Sequence, residues 1–212
     1  MRKEIEKAIR EMIKPNDLVL DLGGWHKPFN RADYVIDLMP YGTRNRKQCY
    51  YPEIAERFSE KTWLQIDLCA RKKWPFKKKQ FDFVFCSHTL EDLRDPIWVC
   101  SEMVRVGRAG YIECPSREVD SIKGLIDEAF VGFPHHRWLV ELQGNELVFT
   151  AKNQFLLKSG EYHLGKRGRN LNARENSLSF FWKGSFLFRE NILIDQEAML
   201  EDYRNFASKH NG

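Results

Sequence analysis

Over the first half of the chain, short apolar runs that end in an acid or a turn alternate with segments whose apolar positions recur every three or four residues. Ile5, Ala8, Ile9, Met12 and Ile13 keep helical spacing until Pro15, which predicts an amphipathic helix over 3–14. Leu18-Val19-Leu20 follows as a strand and ends in Asp21-Leu22-Gly23-Gly24. Three large aliphatics in a row suit a strand covered on both faces. Tyr34-Val35-Ile36-Asp37 is the second strand, and the connection before it is too short for a full crossover helix, so it should be loop with at most one helical turn. Pro52, Ile54, Ala55 and Phe58 predict a short helix over 52–60, and Trp63-Leu64-Gln65-Ile66 a third strand followed by Asp67. The nearly all-apolar Phe81–Cys86 is the fourth strand. Asp95 as N-cap and Pro96 at the first helical position open a helix whose stripe is Ile97, Cys100, Met103 and Val104. Tyr111–Cys114 makes the fifth strand, and Ser116 caps a predicted helix with Val119, Ile122, Leu125, Ile126 and Ala129 on one face. Strand and helix in alternation specify an α/β fold with a doubly wound, mostly parallel sheet.

The rhythm then changes. Trp138–Leu142 and Leu147–Thr150, joined by Gln143-Gly144-Asn145, predict an antiparallel hairpin. A polar loop spans about 160–176. Ser179–Trp182 and Ser185–Phe188, with Lys183-Gly184 as a tight turn, predict a second hairpin, and a last helix runs from about Gln196 to Ser208. At 212 residues the chain fits a single domain over 1–212, with a sheet-forming half to about 117 and a hairpin-bearing part from 118 to 212.

Composition narrows the class. With 42% hydrophobic residues and no apolar run of bilayer length, no membrane role is expected. The start, Met1-Arg2-Lys3-Glu4, lacks the apolar stretch of a signal peptide, and the five cysteines (Cys49, Cys69, Cys86, Cys100, Cys114) are widely spaced without a C-x-x-C; both point to a cytoplasmic protein with reduced thiols and no zinc site. A net charge of +4, from 34 basic and 30 acidic residues, is too balanced to make nucleic acid the expected partner. The basic clusters 71–73, 77–79 and 166–169 read as solvated loops.

Three strands end in acids: Asp21, Asp37 and Asp67. In open α/β sheets the ligand crevice lies outside the carboxyl ends of the strands, and a carboxylate at the end of the second strand accepts hydrogen bonds from ribose hydroxyls. Adjacent Gly23 and Gly24 let backbone amides approach a ligand with no Cβ in the way. A dinucleotide-dependent reductase would use similar features, but its diphosphate requires a glycine-flanked helix N-terminus, which Trp25, Lys27 and Pro28 oppose.

Asp21-Leu22-Gly23-Gly24, Asp37, Asp67, Trp74-Pro75-Phe76, the run from Phe81 through Ser87-His88-Thr89-Leu90-Glu91-Asp92 to Pro96, Glu102–Val106 and Gly110–Glu113 together resemble the class I S-adenosylmethionine-dependent methyltransferases, particularly the type 11 group. The resemblance covers about 17–117. It implies a Rossmann-like methyltransferase fold with an antiparallel C-terminal hairpin, here Phe180–Phe188, at the sheet edge, and S-adenosylmethionine as cofactor, bound by the half before about 117, with an acceptor part after it. It implies that Gly23, Gly24 and Trp25 border the methionyl moiety, that Asp21 orients its amino end, that Asp37 holds the ribose, that Asp67 with Leu68 meets the adenine, and that Ser87 and His88 border the methyl-transfer zone. The chain departs from the family in Trp25 and Lys27, where further glycines are usual, and in Asp92, where many relatives have histidine.

Methyl transfer asks little of a protein beyond positioning, but an acceptor that must lose a proton benefits from a base, and histidine is suited by its near-neutral pKa. The candidates are His88 and the pair His135 and His136, with Arg137 available to clamp an anionic group. Adjacent side chains on extended backbone point to opposite sides, so at most one of His135 and His136 should face inward. No metal is expected, and the acceptor is expected to be a small molecule, methylated on O, N or C. The alternative is a catalytically silent, methyltransferase-like ligand-binding or scaffolding protein.

Overall fold

The computed structural model describes residues 3–45, 47–154, 156–165 and 176–210. Most of the polar loop at 160–176, and the basic cluster 166–169, lie outside the described residues. The chain divides into two compact units, Met1–Glu113 with Ser179–Leu187, and Cys114–Leu178 with Phe188–Gly212.

The first unit is built on a six-stranded sheet. Helix α1 (Lys3–Met12) carries Glu4 and Glu6 in its first turn and Arg10 in its last, as the helix dipole favours, and buries Ile9. Strands β1 (Val19–Leu22), β2 (Tyr34–Asp37), β3 (Trp63–Gln65), β4 (Phe81–Ser87) and β5 (Gly107–Pro115) follow, with helix α2 (Pro96–Val106) between the last two. Strand β8 (Ser177–Lys183) completes the sheet, whose order is β3-β2-β1-β4-β5-β8. The pairs β1–β2, β1–β4, β2–β3 and β4–β5 are parallel, with Asp21 opposite Val35 on one side and Phe85 on the other. All four residues of β1 are buried, which is why it lies inside the sheet.

No helix forms between β1 and β2 among residues 23–33; loop side chains cover the sheet face instead. Phe29 is fully buried, stacked on Phe85 with ring centroids 4.4 Å apart, in one cluster with Ile9, Val19, Val35, Tyr50, Phe83 and Tyr111. Residues 52–60, predicted as a helix, are not one. The Asn30 side chain donates to the carbonyls of Tyr51 and Ile54, and the Arg57 amide donates to the Asn30 carbonyl, so these groups bond to the β1–β2 loop and not to a helical ladder.

Helix α2 begins as read, with the Asp95 carboxylate accepting from the Trp98 amide at 3.0 Å. Its buried stripe is turned relative to the prediction and consists of Val99, Cys100, Met103 and Val106. Four cysteines are buried, Cys49 is half-buried, and all five are free thiols. At the far edge, the Phe181 ring of β8 packs 4.8 Å from Tyr111.

In the second unit, strands β6 (Trp138–Gln143) and β7 (Glu146–Ala151) form the predicted antiparallel hairpin. Strand β9 (Leu187–Asn191) joins β7, giving the order β6-β7-β9. Here the structure corrects the second hairpin: β8 and β9 turn at Lys183–Ser185 but belong to different sheets, so only β8 extends the parallel sheet. The helix predicted from Ser116 stops after one turn, α3 (Arg117–Asp120). Beyond it the chain doubles back, with Lys123 bridged to Val131 and the Gly132 amide donating to the Ile122 carbonyl at 2.8 Å, which leaves Ile126 exposed. Helix α4 (Gln196–His210) supplies Tyr203 to a core with Val131, Leu139 and Leu157. The Arg117 guanidinium is buried between Glu141 and Asp202, at 2.7 and 2.6 Å. Among the described residues, no helix is long and apolar enough to cross a membrane.

Candidate functional site at the strand ends

The carboxyl ends of β1, β2 and β4 gather Asp21, Gly23, Gly24, Asp37, Ser87 and His88 on one edge of one sheet. Asp21 is buried, and its carboxylate accepts from the Phe29 amide at 2.9 Å. Burial, and secondarily the negative charge of Asp37, push its pKa up to about 7 against the effect of that amide. Gly24 sits directly against this carboxylate: a Cβ there would lie 2.4 Å from Asp21 Oδ2. Gly23 has φ +73°, and a Cβ on it would lie 2.2 Å from Thr89 Oγ1. Both glycines are therefore required by packing within the protein, apart from any ligand.

Asp37 is buried at the end of β2 and accepts from the amides of Trp25 (3.0 Å) and Met39 (2.7 Å). Burial raises its pKa although these amides lower it. The Trp25 ring is partly exposed, and its Nε1–H donates to the Thr43 carbonyl at 2.8 Å. Asp67 lies two residues beyond β3, accepts from the Cys69 amide at 2.9 Å and pairs with Arg94; the amide first, then the arginine, hold its pKa below the usual carboxylate range. Leu68 beside it is buried. An ionised carboxylate accepts about four hydrogen bonds, so Asp37 and Asp67 each keep acceptor capacity for a further donor.

A second group of residues surrounds the end of β4. Tyr50 Oη lies 2.9 Å from Ser87 Oγ, which donates to Glu113 Oε2 at 3.2 Å. Lys27 Nζ sits 4.1 Å from the centre of the Tyr50 ring. His88 has φ +51°, a left-handed conformation unusual for a residue with a side chain, and its amide donates to the Glu113 carbonyl at 2.8 Å. Its Nδ1 lies 3.5 Å from Glu91 Oε1. Burial works against the charged imidazole, but Glu91 and then Glu113 outweigh it and raise the pKa of His88. Tyr50, Glu91 and Glu113 join the site only through the fold. Glu91 and Glu113 stand in the stretches that carry the family resemblance, but a polar residue there gives no sign of its burial, and Tyr50 lies in a loop with no periodicity.

His135, His136 and Arg137 belong to the second unit. His135 and Arg137 are exposed and His136 is buried; His135 lies in a turn, not on extended backbone, and its ring sits 4.5 Å from that of His136, so the expected alternation of adjacent side chains does not apply here. His136 Nδ1 lies 2.8 Å from Asp120 Oδ2, and Lys152 Nζ donates to Asp120 Oδ1 at 2.8 Å, so the histidine is one member of a buried ionic cluster.

Residues 33–112 match the family model described as "Methyltransferase domain". Among solved structures, the chain is similar to a SAM-dependent methyltransferase from Aquifex aeolicus at 18% identity, over 53% of this chain and 64% of that one, with a TM-score of 0.38. It is also similar to the complex of the Haloferax volcanii Trm112 methyltransferase activator with a putative methyltransferase, at 19% identity over 53% and 51% of the chains and a TM-score of 0.38. A third similarity is to the [4+2]-cyclase SpnF, at 12% identity over 57% and 45% and a TM-score of 0.37. The matched part thus spans about half to two thirds of each of those structures. No curated protein sequence matches the chain. With the family match over 33–112 lying on its parallel sheet, this part of the chain is similar to a methyltransferase domain.

Proposed function

We propose that the protein transfers a methyl group from S-adenosylmethionine to an O, N or C atom of a small acceptor. The observation that carries this reading is the row of acids at the ends of β1, β2 and β3, of which Asp37 and Asp67 lie within the stretch 33–112 that matches the methyltransferase-domain family. In this reading Asp37 receives the ribose hydroxyls, Asp67 and Leu68 meet the adenine, and the turn at Gly23, Gly24 and Trp25, with Asp21 beneath it, borders the methionyl moiety. The cofactor supplies a methyl group already activated by its sulfonium. What remains for the protein is to hold the acceptor in line, which is worth about 7–11 kcal/mol in well-oriented systems, and to remove a proton where the acceptor carries one. His88 is the histidine assigned to that second task. His136 is assigned to the fold of the second unit, because its Nδ1 is committed to Asp120.

Calorimetry with S-adenosylmethionine and, separately, with NAD tests the reading. Binding of the first and not the second supports it; no binding of S-adenosylmethionine at millimolar concentration overturns it. Mass spectrometry of small molecules carried through purification then addresses the acceptor. A second reading, a catalytically silent member of the fold, is favoured by one observation: the first-strand acid is closed off by its own loop through the Phe29 amide and Gly24. Cofactor binding without turnover of any co-purified acceptor is the result that reading requires.

A further inference from the structure

Glu91 is only 1% exposed, and among the described residues its Oε2 atom has no hydrogen-bond partner. A buried carboxylate with an unmatched oxygen is costly, so a fold that keeps one usually holds it against a specific group. Here that group is His88, whose Nδ1 is 3.5 Å from Glu91 Oε1. The histidine is the opposite kind of residue, with its side chain 48% exposed at the carboxyl edge of the sheet. It is therefore reachable from solvent while its partner is not.

The local chain is shaped to make this pair. The left-handed backbone at His88 ends β4 abruptly, and the bond from its amide to the Glu113 carbonyl ties the turn to β5. Ser87, one residue earlier, is held from both sides by Tyr50 and Glu113. Thr89, one residue later, donates to the Leu22 carbonyl at 3.2 Å. Residues on both sides of His88 are thus fixed, and the Asp92 amide bonds back to the Thr89 carbonyl at 3.1 Å, which turns Glu91 inward beneath the imidazole. Strained backbone of this kind persists where surrounding contacts over-determine it, and it clusters at functional sites.

We infer that His88 and Glu91 form a base dyad, in which buried Glu91 is the positioning residue that keeps the proton on Nδ1 and leaves the Nε2 lone pair of His88 directed to the acceptor. This deepens the proposed function and rests on it for the reaction served. As the acceptor atom bonds to the methyl carbon, the carbon–sulfur bond breaks with its electron pair going to sulfur, and the acceptor's proton passes to His88 Nε2. The sulfonium charge is thereby replaced by that of the imidazolium, next to Glu91 and Glu113, before the proton is lost to water. The logic is that of any base oriented by a third group, and it suits an acceptor with a hydroxyl or neutral amine proton.

The test is long-range ¹H–¹⁵N NMR of the histidine side chains at a pH where they are neutral, with His88 assigned through His88→Gln. An unconstrained imidazole favours the Nε2–H tautomer. The dyad requires the Nδ1–H form in the unaltered protein, reversion to Nε2–H in Glu91→Leu, and retention of Nδ1–H in Glu91→Gln, whose amide oxygen still accepts. It also requires the titration midpoint of His88 to fall in Glu91→Leu. An Nε2–H tautomer in the unaltered protein overturns the inference, and this measurement does not depend on any Glu91 variant folding. An unchanged midpoint in a folded Glu91→Leu overturns it as well. Calorimetry with S-adenosylmethionine on the unaltered protein and on Glu91→Leu separates the two claims. Loss of binding in both overturns the proposed function and leaves the dyad to the NMR result. Equal binding in both, with the tautomer reverted, is the outcome the dyad predicts.

Discussion

The Phe29 amide donates to the Asp21 carboxylate across 2.9 Å, and both residues are shut off from water. The bond anchors the loop that stands where a crossover helix would lie, and it places an acid with a pKa of about 7 beneath Gly24. A raised carboxylate pKa means that the folded state binds the proton more tightly than the unfolded state. Its contribution to stability is present below the unfolded value, about pH 4, and is lost as pH rises toward 7. Asp21→Asn keeps the acceptor for Phe29 and removes the charge. Its stability should match the unaltered protein near pH 4 and exceed it increasingly up to about pH 7, with a plateau above, at a gain of order 1–3 kcal/mol. Denaturant unfolding at several pH values checks this, and a difference that does not vary with pH would refute the assignment.

The turn after β1 should be intolerant of any side chain. Gly23→Ala places a Cβ at φ +73° and against Thr89, so a loss of about 2–4 kcal/mol is expected from backbone strain and overpacking together. The double variant with Thr89→Ala should recover only the steric part. Full recovery would show that the positive φ is not a constraint.

Asp67 tests the adenine role. Asp67→Ala should weaken S-adenosylmethionine binding by about an order of magnitude, the worth of a hydrogen bond of 1–2 kcal/mol. Calorimetry reads this directly, and unchanged affinity counts against Asp67. Thermal stability should hardly move, because its partner Arg94 is largely exposed and surface ion pairs contribute little.

In the second unit, Asp120 is buried with His136 and with Lys152, whose side chain is fully buried. Burial alone would raise the Asp120 pKa, but the hydrogen bond from His136 and the charge of Lys152 outweigh it and lower it. A depressed carboxylate contributes stability that is fully present above the unfolded value, about pH 4, and is lost as pH falls through the folded one. Asp120→Ala leaves Lys152 without its carboxylate and should cost about 3–5 kcal/mol near neutral pH, and less in acid. Trp138 is the one tryptophan of this unit, so its ¹⁹F resonance in fluorotryptophan-labelled protein follows that unit alone. Equal losses at pH 7 and in strong acid would remove Asp120 from this role.

The alternation of β1 to β5 is legible along the chain, because buried strands need continuous apolar runs and such runs are visible without knowing their neighbours. So are the start of α2, since Asp95 and Pro96 act on the adjacent helical turn, and the β6–β7 hairpin, whose partners are joined by a short turn. The same apolar runs place Asp21, Asp37 and Asp67 at the strand ends, and the family resemblance lies in the same local stretches. The rest depends on packing between segments far apart in sequence. Residues 52–60 lose their helix to the side chain of Asn30, more than twenty residues away. The β8 and β9 segments carry a hairpin pattern, but periodicity reports which faces are buried and not which strand lies alongside, and each joined a different sheet. The same holds at the site. That Asp21 is bonded by the Phe29 amide, His136 by Asp120, and that Glu91 is buried beside His88 depend on how loops and turns fold back on themselves, which hydrophobic pattern and spacing do not encode.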